Sequence, residues 1–142
     1  MRFKPVLTLD DAKKMLAAGE AEAIKNRWNI VMAILDDSAG LVALHRMDGA
    51  RPGNPEIAIQ KARTSALTER SSKVWEDRVN GGRISLMKMP VLPVQGGLPI
   101  IIDGRCLGAI GVSGVASHQD EQVAMAAVMA VFPTAKMVRP GD

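Results

Sequence analysis

Lys61 and Arg63, one residue apart, and the adjacent carboxylates Asp120 and Glu121 are residue types from which a small acid–base site can be built. A cation from a helix can anchor a substrate carboxylate while a carboxylate at a helix start moves a proton. Asp48, at the end of an apolar run, is a further acid–base candidate. Each of these is also an ordinary surface charge or cap, and sequence alone does not show that they converge. The chain has only two histidines, which excludes a metal site of several His ligands. His45, within Ala43-Leu44-His45-Arg46-Met47, reads either as a hydrogen-bonded structural imidazole or as a haem iron ligand. His118 falls in the first turn of a helix, where positive charge is unfavourable, and is expected to be neutral and exposed. Met47 could ligate haem iron, but as one of nine methionines it reads more simply as core.

Cys106 is the sole cysteine, so it can form neither an internal disulfide nor a zinc cluster, and a reducing compartment follows as the expectation. The sequence contains no Gly-x-Ser-x-Gly elbow, no His-Glu-x-x-His and no Lys-containing phosphate loop. Their absence removes the commonest hydrolase and nucleotide-binding readings.

The elements that must position these residues can be read from periodicity. Thr8 is an expected N-cap, with Asp10 and Asp11 at the favourable end of the helix dipole, and apolar spacing carries a helix to about Arg27. Ile30 to Leu35 and Leu41 to Met47, joined by a cluster of turn formers, read as a hairpin. Asn54 as N-cap and Pro55 at the first helical position open a helix to Arg70, with Ala58, Ala62 and Ala66 on one stripe. A short helix over Ser71 to Val79 and an irregular stretch from Arg83 to Leu98 follow. Pro99 to Ile102, Asp103-Gly104 and Arg105 to Gly114 form a second hairpin, and Ser117 with Asp120 fits a capping box for a last helix to Phe132.

Strands joined by hairpins, not crossover helices, favour an antiparallel sheet flanked by helices, an α+β domain spanning residues 1–142. Strict alternation in the last strand would put Leu107, Ala109, Gly111 and Ser113 on one face. The small end of that face suits either a tightly packed helix or a flat ligand approaching the backbone at Gly111 to Gly114, beside the amides at Ser117 to Glu121. The expectation is a cavity at that corner with Lys61 facing it.

With 142 residues, 47% of them hydrophobic, the chain can bury one core. Aromatics are 3% with no Tyr, which argues against a stacking platform for nucleic acid. The net charge is +3, and the segment Lys61 to Lys88 holds seven basic against three acidic residues without a consecutive run. That balance fits a solvated face or an anionic small-molecule partner, and not nucleic acid. No stretch approaches the ~18 apolar residues of a membrane span, and the N-terminal residues lack a secretion signal's apolar core. A soluble cytoplasmic protein without a membrane partner is therefore expected.

Four blocks carry a resemblance: Arg46-Met47-Asp48-Gly49-Ala50, Ala58 through Ala66, Gly96-Gly97-Leu98-Pro99-Ile100, and Gly108 through Gly114 followed by Gln119-Asp120-Glu121. In order and spacing they resemble the GlcG/HbpS-like family, which includes the C-terminal domain of PduO-type cobalamin adenosyltransferases. The resemblance covers about Leu7 to Phe132. It implies a profilin-like sandwich with a mostly antiparallel sheet of about five strands, assembled as a homo-oligomer. It also implies haem or a related tetrapyrrole as ligand, with Asp48, Gly97, Pro99, Ser113 and Gly114 as cofactor-binding candidates; His45 joins them, as the metal ligand, from the reading of this sequence and not from the family. Other members resemble enzymes of aromatic degradation, including hydroxylaminobenzoate lyases. That alternative needs no cofactor and would use Lys61, Asp120 and Glu121 catalytically on a small aromatic acid.

Overall fold

The computed structural model describes residues 1–139 and 142. Helix α1 (Leu9–Lys25) begins as the sequence predicts: Thr8 Oγ1 accepts from the Asp11 amide at 3.1 Å, and Asp11 Oδ2 accepts from the Thr8 amide at 3.2 Å. Strands β1 (Val31–Asp36) and β2 (Leu41–Arg46) form the first hairpin, whose turn is held by Asp36 accepting from the Ser38 and Gly40 amides. Helices α2 (Asn54–Thr68) and α3 (Ser72–Asn80) follow, then a 3-10 turn over Ile84–Lys88. Strands β3 (Gly97–Ile102) and β4 (Arg105–Ser113) make the second hairpin, and α4 (Ser117–Val131) closes the series. Asp103 and Gly104 both take positive φ (49° and 77°), the geometry that lets a two-residue turn follow strand twist.

The sheet order is β2-β1-β4-β3, antiparallel throughout. It has four strands where about five were expected. Pro90 and Pro93 withhold backbone donors from the stretch before β3, which accordingly adds no strand. Met32, Ile34, Leu98, Ile100, Ile110 and Val112 pack with α1 and α4 on one face, and Val31, Ala33 and Ala58 of α2 pack on the other.

Helix α2 lies unusually close to the sheet. A Cβ at Gly111 would meet the Ala58 carbonyl and the Ala62 amide nitrogen, and one at Gly97 would run into the Lys61 carbonyl. The tight-helix reading of the glycine-rich strand end is the one observed. Three local expectations are corrected. Gly53, not Asn54, is the N-cap of α2, and the Asn54 side chain instead accepts from Ser113 Oγ at 3.4 Å. Ala116, not Ser117, caps α4, with Gln119 Oε1 accepting from its amide, which frees Asp120 for another partner. Leu107 joins Ile110 and Val112 on the α1–α4 side, because β4 carries one extra residue between Ile101↔Cys106 and Ile100↔Gly108.

Candidate functional site

Lys61 comes from α2 and Asp120 from the first turn of α4, helices on opposite faces of the sheet. They meet beyond the end of β4. Lys61 Nζ donates to Asp120 Oδ2 at 2.9 Å and to the Val112 carbonyl at 3.1 Å, while Asp120 Oδ1 accepts from the Val115 amide at 3.1 Å. The two side chains are 3% and 2% exposed. Burial pushes the Asp120 carboxyl above its ordinary value even though the Lys61 ammonium pulls it down. Gly96 permits this arrangement: its φ is +131°, and a Cβ there would lie 2.8 Å from both Lys61 Nζ and the Val112 carbonyl.

The convergence that sequence could not show is thus real for Lys61 and Asp120. Its product is a closed ion pair that fills the corner expected to be a cavity. Glu121 is half-buried beside it and accepts from Gln95 Nε2 at 2.8 Å and Ser71 Oγ at 3.1 Å. Ser72 Oγ accepts from the Gly97 amide at 2.8 Å and so pins the start of β3 to α3. Ser71, Ser72 and Gln95 went unnoticed in the sequence. Small polar residues in turns are too common to single out before the fold places them together.

The other candidates are dispersed. Ser113 is buried at the end of β4, Gly114 is exposed just after it, and Pro99 is buried in β3 opposite Ala109. Asp48 is exposed in the turn after β2. His45 stands on β2 opposite Met32, on the α1 side of the sheet, with its side chain 53% exposed. Its Nδ1 lies 2.6 Å from Glu20 Oε1 of α1. A carboxylate can only accept, so the imidazole carries a proton on Nδ1, which leaves Nε2 as the ring nitrogen able to ligate a metal. His118 is exposed in the first turn of α4, as expected.

Several of the basic residues between Lys61 and Lys88 are engaged with other groups. Lys61 is committed to Asp120, Arg70 pairs with Asp142, and Lys73 pairs with Asp77. The Arg70 and Arg78 guanidinium carbons lie 5.6 and 4.8 Å from the centroid of the Trp75 ring. Among the described residues, no group of three His, Cys, Asp or Glu side chains could hold a metal ion, and no helix is long and apolar enough to cross a membrane.

Comparison with known proteins gives this arrangement a relationship. The family model "Haem degrading protein HbpS-like" matches residues 7–129. Protein GlcG of Escherichia coli (strain K12) is 44% identical over 114 residues, 80% of this chain and 85% of its own length. Among solved structures, a double mutant of HbpS from Streptomyces reticuli superposes with a TM-score of 0.86 at 27% identity, covering 92% of this chain and 90% of that one. The PduOC:heme complex shares the fold, with a TM-score of 0.84 at 24% identity over 95% of this chain and all of that one. A helix packed onto glycines of an antiparallel sheet and matches of this length lead to one conclusion: the chain belongs to the HbpS-like family.

Proposed function

We propose that this protein binds haem or a related tetrapyrrole, with His45 as the iron ligand. The observation that carries the reading is the His45–Glu20 contact. A carboxylate accepting from Nδ1 fixes the tautomer and orients the ring, which is the arrangement metal-ligating histidines use. The half-exposed ring on an edge strand leaves room for a planar ligand that the filled corner between β4 and α4 does not offer. The residues therefore fit a haem whose iron His45 would hold at the protein surface. When bound, haem would supply an iron centre capable of redox chemistry and of binding small ligands. The protein's part is to hold the imidazole still through α1.

The haem-degrading description of the family and the haem held by PduOC support the same reading. Self-association belongs to it as well, since the exposed Leu41 on the same edge strand offers apolar surface for a second copy. The aromatic-acid lyase alternative gains no support from geometry, because Lys61 and Asp120 neutralise one another in a closed contact.

The test is a hemin titration followed by absorption. A saturable Soret band that shifts or is lost in His45→Ala supports the proposal. A spectrum identical to loose hemin, or one unchanged by His45→Ala, overturns it.

A further inference from the structure

Away from both sites, the segment preceding α1 folds back over the β3–β4 turn. Leu7 is buried at the base of this arm. Lys4 Nζ reaches Asp37 Oδ2 at 2.6 Å, and Arg105 Nη1 donates to the Phe3 carbonyl at 3.2 Å. Two adjoining clefts open around these contacts. One, about 370 Å³, is lined by Arg2, Phe3, Lys4 and Arg105. The other, about 230 Å³, shares Lys4 and Arg105 and adds Glu69, Cys106 and Arg139 to its walls.

Four cations thus surround a space that contains one carboxylate. Two of them already hold carboxylates: Arg139 Nη1 holds that of Glu69 within the cleft at 2.9 Å, and Lys4 holds that of Asp37, which lies outside its walls. Glu69 is delivered to this position by a left-handed backbone (φ 54°) at the end of α2, a conformation uncommon in residues other than glycine. Arg2 and Arg105 have no carboxylate partner among the described residues. Arg105 spends one nitrogen on Phe3 and keeps the rest of its donor fork, the geometry that takes carboxylate or phosphate oxygens in pairs. The two unpaired guanidinium groups set the ligand's charge, and either cleft is large enough to admit a small anion.

We infer that this cleft is a binding site for a small dianion, either a phosphate group or a short dicarboxylate, held between Arg2 and Arg105. It is separate from the His45 face and does not rest on the haem reading. The experiment is calorimetric titration of the full chain at low salt with inorganic phosphate and, separately, with malonate.

Saturable binding of either probe, weakened about tenfold or more in Arg105→Ala and partly restored in Arg105→Lys, supports the site, because hydrogen bonds to charged groups are the strong ones. Phosphate alone would identify a phosphorylated ligand, and malonate alone a dicarboxylate. Arg105 is exposed, so its variants should keep the wild-type melting temperature; Arg2→Ala serves as a second test of the same loss. The inference is overturned if neither probe binds, if both arginine variants bind as the wild type does, or if a single-stranded oligonucleotide binds more tightly than both probes. That last result would make the patch a nucleic-acid surface.

Discussion

Lys61 and Asp120, 59 residues apart in sequence, form a 2.9 Å ion pair that bridges the helices on opposite faces of the sheet. Since the pair is sealed from solvent, its value lies in what happens when one partner is lost. Removing either charge strands the other where water cannot reach it. Lys61→Met and Asp120→Leu should each destabilise by about 3–5 kcal/mol, while the double variant should recover most of the loss. Urea denaturation of the four proteins checks this, and additive losses would refute it.

The same pair sets a pH dependence. The Asp120 carboxyl lies above its ordinary 3.8 in the folded protein, chiefly through burial. Between the unfolded and folded values the native state binds more protons than the unfolded chain, so stability falls as pH rises through that window. Asp120→Asn lacks this component. The stability of the wild type relative to Asp120→Asn should therefore be greater near pH 4 than at pH 7, as read by denaturation at both.

The approach of α2 to β4 yields a packing prediction. Gly111→Ala places a methyl against the Ala58 carbonyl and the Ala62 amide, both backbone and unable to swing aside. A loss of about 1–3 kcal/mol or more is expected. Gly53→Ala, with nothing within 4 Å of the added carbon, should cost less than about 1 kcal/mol. Paired thermal melts would compare the two.

For the imidazole, the decisive partner is Glu20. Glu20→Gln keeps the size of the side chain but removes its charge, and should weaken hemin binding about 10-fold or more, as for other carboxylates behind metal-ligating histidines. Titration of His45→Ala alongside separates this effect from a nonspecific one.

Cys106 should be slow to react. Burial pushes its thiol up, and Sγ donates to the Gly108 carbonyl at 3.3 Å. Less thiolate at neutral pH means iodoacetamide should alkylate it more slowly than free glutathione, a rate that mass spectrometry can follow.

Much of this architecture was legible because its causes are local. Thr8 with Asp11 makes its own cap, and Asp103-Gly104 dictates its own turn. Leu107 escaped because alternation assumes an unbroken pleat, and the extra residue shows only in the pairing with β3. Lys61, Asp120 and Glu121 could be picked out as residue types, but whether they bind a ligand or each other depends on how closely α2 lies on the sheet. The basic cleft was invisible for the same reason: residues 2, 4, 69, 105 and 139 share no local pattern.

The additional residue in β4 is absorbed locally, and Arg105 stays paired with Ile102. Deleting Leu107 would restore an even pleat while leaving Cys106 opposite Ile101 and Arg105 opposite Ile102, so the start of the strand would keep its facing. One surplus leucine thus adds an apolar side chain to the core without turning the guanidinium two positions away, so the interior and the outer rim can vary independently here.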